Sequence, residues 1–521
     1  MLRRTTTRLI ALTSSLALTV GLGTLGSPTP PASALEIPPI PAIPGLPIPA
    51  LPTDLLVPRF VGAPATAQPI ANPPIWQNPH KSPNGTNSMH NDSYSSDAYL
   101  VSGPLGRNLQ MTTASYGIRE CATITFDSAG RIQALCGGLE GFVMMLIDPV
   151  TLHPIAELAM PGRDLTKLSN PFTDICGGSY FYLTADDRAI ATTTTSAIWE
   201  VTQTSSGLKR NRSWELAGHI GADDCLIAVT PDAAGRVWFF TQQGQAGTLD
   251  RRTGAVRLIR LTGPAGRPEG NFNSVSADAD GAVYTVTTHA MYRLDARRDG
   301  TPEITWRRRY DRGSTVKPGM LSQGSGTSPT LIGKRWVVIA DNADPRMNIV
   351  TFDRRTTRPN GKPIRKRRHC TVPVFAAGTS TTENSLVAAG RSVMVENNYG
   401  YAGPQSTLFG QTTSPGFARV SVRPRGDCKV LWSNNRVSAP TSVPKASLGN
   451  GLVYAYTKPA RSDGIDAWYF TALDIRTGKV AWSRLTGTGI QWNNHYASIY
   501  LGPDGTAYVA TVAGLIRLAD G

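Results

Sequence analysis

Gly247-Thr248-Leu249-Asp250-Arg251-Arg252-Thr253-Gly254-Ala255-Val256 ends one apolar strand on Asp, turns on Thr-Gly and starts another. Ala472-Leu473-Asp474-Ile475-Arg476-Thr477-Gly478-Lys479-Val480-Ala481-Trp482 repeats the pattern. Looser copies are Leu146-Ile147-Asp148, Arg293-Leu294-Asp295 and Thr351-Phe352-Asp353. Upstream of these lies a second element, an acidic-Gly turn followed by alternating strand residues. It reads Asp127-Ser128-Ala129-Gly130-Arg131-Ile132, Asp232-Ala233-Ala234-Gly235-Arg236-Val237-Trp238, Asp280-Gly281-Ala282-Val283-Tyr284 and Asp504-Gly505-Thr506-Ala507-Tyr508-Val509. Alternating apolar residues on both sides of a Gly turn make a β-hairpin.

Weaker copies fall near residues 188, 333, 390 and 450, so the turn recurs about every 54 residues. Eight four-stranded antiparallel units at that spacing predict an all-β chain folded as an eight-bladed β-propeller over 120–521. Seven blades are the alternative count. The last copy stops at Leu518-Ala519-Asp520-Gly521 with two strands after its inner one and no fourth. A strand from the polar segment 76–119 is expected to complete it and lock the ring.

These turn units resemble the PQQ-binding-like, quinoprotein-type β-propeller superfamily, whose eight blades carry Asp-x-x-Thr-Gly-x-x-x-Trp; the second copy ends on Trp482. The resemblance covers about residues 95–521 and implies the fold. The dehydrogenases of that family place adjacent cysteines beside the quinone, and no Cys-Cys pair occurs here, so the resemblance does not carry a retained PQQ site with it.

The chain has 521 residues, 51 of them Gly and 39 Pro, which favours a turn-rich fold over a helical one. Arg3, Arg4 and Arg8 precede an apolar stretch, and Ala32-Ser33-Ala34 is a small-residue cleavage site, so 1–34 reads as a signal peptide. Residues 35–75 carry Pro38, Pro41, Pro44 and Pro47 at every third position, the period of a polyproline II rod, and read as an extended linker or spacer. The mature chain has no transmembrane span and is expected to be secreted or envelope-associated.

Six cysteines in an exported chain read as disulfides. Cys121 and Cys136 are symmetric about a hairpin turn, while Cys176 and Cys225, and Cys370 and Cys428, are each about one repeat apart. Those three pairs are expected, the last two between neighbouring blades.

Lys and Arg number 52 against 37 Asp and Glu, a net +15. Arg354, Arg355, Arg365, Lys366, Arg367 and Arg368 form a basic cluster suited to an anionic envelope polymer or to a solvated loop. No interleaved aromatics accompany it, and export removes the usual nucleic-acid partner, so nucleic acid is not expected.

Ligands of propellers sit at the central channel. The innermost-strand position of each unit holds Glu120, Asp174, Asp224, Asn273, Ser328, Glu383, Lys445 and His495. Glu120, Asp224, Asn273, Glu383 and Asn384 offer oxygen ligands for Ca²⁺, and Glu383 and His495 are candidate catalytic groups. His90, Asp92, Asp174, Lys445, Trp492 and Asn493 are candidate ligand contacts. A phosphate loop, a His-Glu-x-x-His helix and a Gly-x-Ser-x-Gly elbow are all missing, so serine-esterase chemistry has no local signal. Three functions compete: a propeller that binds a small molecule, glycan or protein at its channel face; a Ca-dependent hydrolase or lactonase; and a quinone-dependent dehydrogenase.

Overall fold

In the third repeat, Asp232 Oδ1 accepts hydrogen bonds from Ala234 N and Arg236 N at 2.9 and 3.0 Å, and Gly235 takes φ +81°. That closed turn aligns Leu226–Pro231 with Val237–Thr241. Asp127 does the same in the first repeat. In the fourth, the accepting carboxylate is Asp278 rather than the Asp280 of the sequence motif. In the second, Thr184 Oγ1 replaces the carboxylate and Asp187 takes the positive φ. The outer turn works likewise: Thr253 N and Thr477 N donate to Asp250 and Asp474. The looser copy at Asp148 keeps the geometry, with Leu152 at φ +62° where the others have Gly.

The computed structural model describes residues 43–138, 141–164, 174–177, 180–204, 207–358, 360–364, 368–423 and 428–521. They lie in one compact unit, Pro39–Gly521, and the signal-peptide segment falls outside them. Eight antiparallel blades follow one another, so the seven-blade alternative is excluded. The inner strands are Glu120–Phe126, Phe181–Leu183, Leu226–Pro231, Ser276–Ala277, Thr330–Ile332, Val387–Ala388, Lys445–Ser447 and Ile499–Leu501. Second strands such as Val237–Thr241 and Trp336–Ala340 are buried throughout, because a neighbouring blade covers each face. Outer strands such as Val256–Arg260 alternate in exposure. Among the described residues no helix is long and apolar enough to cross a membrane.

Blade 8 takes its outer strand from the other end of the chain. Gln110–Ser115 pairs with Gly514–Ala519, from Gln110 opposite Ala519 to Ser115 opposite Gly514. Asp520 reinforces the seam by accepting from Leu105 N, Gly106 N and Arg107 N at 2.7–2.9 Å. This closure gives blade 8 its fourth strand and ties both ends of the chain into one sheet.

Residues 43–75 depart from the expected free spacer. Phe60–Gly62 adds a fifth strand to the outer edge of blade 7, with Phe60 stacked 6.0 Å from Trp482. Ile48 is buried, and Ile70 N donates to Leu448 O. Proline is compatible with such an edge, where every second N–H faces away from the sheet.

The basic cluster is also corrected in part. Arg354 is only 3% exposed and pairs with Asp278 between blades 4 and 5. Arg355 pairs with Asp353 at 2.7 Å. Arg368 is exposed, and residues 365–367 lie outside the described residues.

All three expected disulfides are present: Cys121–Cys136 within blade 1, Cys176–Cys225 joining the entries to blades 2 and 3, and Cys370–Cys428 joining blades 5 and 6. The Cys176–Cys225 bridge closes a separation of 49 residues. On chain-entropy grounds the double variant Cys176→Ser/Cys225→Ser should lose about 4 kcal/mol, read as a lower denaturant midpoint.

Candidate functional site

Each inner strand presents an unpaired edge to the channel, and the polar segment before residue 100 meets it. Thr86 O accepts from Phe126 N in blade 1, and Asn87 O from Leu183 N in blade 2. Ser93 O accepts from Ala277 N, Tyr94 O from Leu331 N, Ser96 O from Ala388 N and Asp97 O from Ala446 N, in blades 4 to 7, all at 2.8–2.9 Å. Ala98–Tyr99 then pairs in parallel with Lys445–Ser447. The bends between contacts put Asn91, Ser95 and Asp97 at φ +56°, +48° and +54°. Asn and Asp tolerate that conformation better than most side chains. The polar segment before residue 100 is therefore a buried plug across the channel.

Above the plug lies a cavity of about 290 Å³, at the end where the inner strands begin. Met89 and His90 of the plug line it, with Glu120, Ala122 and Phe142 of blade 1. Asp174, Tyr180, Phe272, Asn273, Ser328, Glu383, Asn384, Val443, His495 and Tyr496 line the rest. Six of the eight expected channel positions thus face one space: Glu120, Asp174, Asn273, Ser328, Glu383 and His495.

The other expected residues are engaged elsewhere. Asp224 accepts from Cys225 N and Gln243 N, both at 2.8 Å, and caps the blade 3 entry. Lys445 is fully buried, pairing with Asp97 and donating to Met89 O at 2.7 Å. Asp92 accepts from Tyr94 N and Ser96 N, shaping the plug from within. Trp492 is core, packed against Gly487, and Asn493 holds Tyr401 and the His495 backbone. A position near a strand start is legible from the repeat, but the partner its side chain takes is set by contacts between blades and with the plug.

Burial dominates the electrostatics. The Glu383 carboxyl is pushed up to about 8, opposed only by a hydrogen bond from Leu321 N at 3.1 Å. Burial also raises Glu120 well above the usual carboxylate range, against a hydrogen bond from the Ala497 backbone. Glu396 accepts from Asn384 and Asn398 and is pushed up to about 8 by burial. Burial favours the neutral acid at each of these carboxyls, so the cavity is less anionic than its composition suggests. At the mouth, Tyr401 lies 2.9 Å from His495 Nδ1 and edge-on to Tyr496 at 5.3 Å. His495 and Tyr496 hold consecutive positive φ values of +31° and +67°, strain of the kind that collects at functional sites. Arg163 lies 3.5 Å from Asp174 and over the Phe142 ring.

Four of the five expected Ca²⁺ ligands, Glu120, Asn273, Glu383 and Asn384, line the cavity, while Asp224 caps blade 3 instead. Among the described residues, only His369, Cys370 and Cys428 bring three such ligand atoms within 4.8 Å, and the two cysteines are bonded to each other. The cavity does not suit PQQ either. That quinone is a tricarboxylate, and the lining sets Glu120, Asp174 and Glu383 against one arginine, Arg163, itself beside Asp174.

No family model matches the chain. An uncharacterized protein of Archaeoglobus fulgidus is 27% identical over 321 residues, 57% of this chain and 61% of that protein; the match therefore spans less than two thirds of its relative. A europium-containing methanol dehydrogenase superposes with a TM-score of 0.47 at 13% identity, covering 81% of this chain and 88% of its own. A streptogramin B lyase gives 0.38 at 9% identity, covering 79% and 97%. At these identities nothing about ligand or reaction passes to this chain.

The buried acids set a pH dependence. Unfolded, Glu396 ionises near its ordinary value of 4.5; folded, it holds its proton to about 8. Folding therefore takes up a proton between those values, so stability falls as pH rises across the window and levels off above it. Melting temperatures from pH 4.5 to 9 should show the decline, and Glu396→Gln should reduce its slope while Glu383 and Glu120 keep the remainder.

Proposed function

We propose that this protein is an exported propeller whose plugged channel binds a small, largely apolar, uncharged molecule. The observation that carries this is the cavity above the plug, where Met89, Ala122, Phe142, Phe272 and Val443 meet a few polar groups. Ligand sites have that make-up: mostly apolar walls, with placed donors and acceptors that fix orientation. Burial favours the neutral acid at Glu383 and Glu120, a form that can donate a hydrogen bond to a carbonyl or ether oxygen, whereas the apolar walls would leave an anionic ligand poorly solvated.

Export is supported by the Arg-rich start, the Ala32-Ser33-Ala34 site and the three disulfides. The repeats are PQQ-like in turn chemistry, and the quinone is not part of this reading. A Ca-dependent hydrolase is less favoured, because the oxygen ligands are spread over separate hydrogen-bond networks.

The test is fluorescence of N-phenyl-1-naphthylamine, a neutral apolar probe, with neutral esters and lactones as competitors and dicarboxylates as controls. Binding and displacement by the neutral compounds are expected. Ala122→Phe should abolish them by filling the cavity while the melting temperature stays close to wild type. Unchanged probe binding in that variant removes the reading. For export, the mature protein should begin at Leu35 and show no free thiol.

A further inference from the structure

The cavity floor holds an arrangement that ligand binding alone does not use. Ser328 Oγ lies 3.1 Å from His90 Nε2. On the opposite edge of the ring, His90 Nδ1 lies 3.0 and 3.1 Å from the two oxygens of Asp97. His90 and Ser328 both line the cavity. The carboxylate can only accept, so Nδ1–H donates to Asp97, and Nε2 presents its lone pair to the Ser328 hydroxyl. Nucleophile, base and orienting carboxylate thus stand in sequence, at the distances such a relay requires. They come from distant parts of the chain: His90 and Ser328 are 238 residues apart.

The scaffold around the relay is built. Asp97 is fully buried, paired with Lys445 on its other side, and its carbonyl is taken by Ala446 N. Ser328 N donates to Ser385 Oγ at 3.2 Å, which ties the blade 5 entry to blade 6. Pinning the plug to blade 7 needs only Lys445, Asp97 and Met89 O; an imidazole between Asp97 and a cavity serine adds nothing to that pin.

We propose that Ser328, His90 and Asp97 form a nucleophilic triad that hydrolyses a small neutral ester or lactone bound in the cavity. It rests on the binding reading above. Ser328 Oγ attacks the carbonyl carbon as its proton passes to His90 Nε2. The bond from that carbon to the alkoxy oxygen breaks, and the leaving oxygen takes the proton from His90. Water then attacks the acyl-Ser328 ester, giving a proton to His90. Ser328 Oγ departs and recovers that proton, so ester and water become acid and alcohol. Ser328 and His90 are the catalytic residues, and Asp97 is a positioning residue. The apolar walls select a short apolar acyl group, and the product acid, once ionised, is poorly solvated by those walls and leaves for water.

The disulfide-intact chain is treated with a fluorophosphonate and read by intact mass and peptide mapping, with p-nitrophenyl butyrate hydrolysis in parallel. One adduct on the Ser328 peptide is expected. It should be absent in Ser328→Ala and formed about 100-fold more slowly in His90→Gln. Asp97→Asn should lower kcat with KM little changed; a change confined to KM removes Asp97 from the triad. Should loss of the Ser328 hydroxyl disturb the fold, Ser328→Cys is the second variant. All described cysteines are in disulfides, so the new thiol is the one that reacts. Its alkylation by iodoacetamide should slow about 100-fold when His90→Gln is added; equal rates overturn the triad. Binding of N-phenyl-1-naphthylamine to wild type is measured alongside. A bound probe with no Ser328 adduct overturns the triad and leaves the binding site standing. Neither probe nor adduct overturns both.

Discussion

Eight inner strands that converge on one axis leave eight sets of backbone donors and acceptors facing a channel, and those groups must find partners. Water could serve a wide channel. Here the chain serves itself, laying residues 86–99 around the axis so that successive carbonyls take inner-strand N–H groups from six blades. Each such bond contributes about 1 kcal/mol net, while a buried donor left unpaired costs more. Much else follows from this plug. It closes one end of the channel, makes a cavity of the other, and carries His90 and Asp97 to the axis. It also explains why a segment with no regular element before Ala98 is almost wholly buried.

The two chain ends meet in the same architecture. The strand Gln110–Ser115 leaves the plug and enters blade 8 beside Gly514–Ala519. Plug, seam and ring are therefore parts of one cooperative closure. The proline-bearing stretch 43–75 extends it along blade 7 and blunts an outer edge that would otherwise be open. Disulfides across blades 2–3 and 5–6 add covalent ties to the hydrogen bonds between those blades.

Burial decides the chemistry of the cavity more than charge does. Glu120 and Glu383 read in sequence as part of an acidic channel suited to a cation, and Glu396 lies beside Asn384 of that set. Desolvation shifts all three towards the neutral acid, which turns would-be metal ligands into hydrogen-bond donors. Lys445, read as a ligand contact, is consumed by Asp97. The same low-dielectric surroundings strengthen the Asp97–His90–Ser328 chain of hydrogen bonds.

Local rules written in short motifs were legible without coordinates. Asp-x-x-Gly and Asp-x-x-Thr-Gly turns close through bonds between residues at most five apart, so their spacing set the blades and the blade count. Cysteine spacing against that period identified the three disulfides. Glu120, Asp174, Asn273, Ser328, Glu383 and His495 were placed at the channel because an inner strand precedes each turn at a regular distance. What only the tertiary structure decided depends on contacts across the ring. The plug has no period, so nothing in 76–99 announces which carbonyl meets which blade. Asp224 and Trp492 do not line the cavity because Asp224 caps the blade 3 entry and Trp492 packs into the core, contacts that no local motif encodes. The His90–Ser328 contact joins residues 238 apart and leaves no motif. Short-range turns are encoded where they form; a channel site is assembled by closure of the ring, and its residues acquire their relation only when the ring is shut.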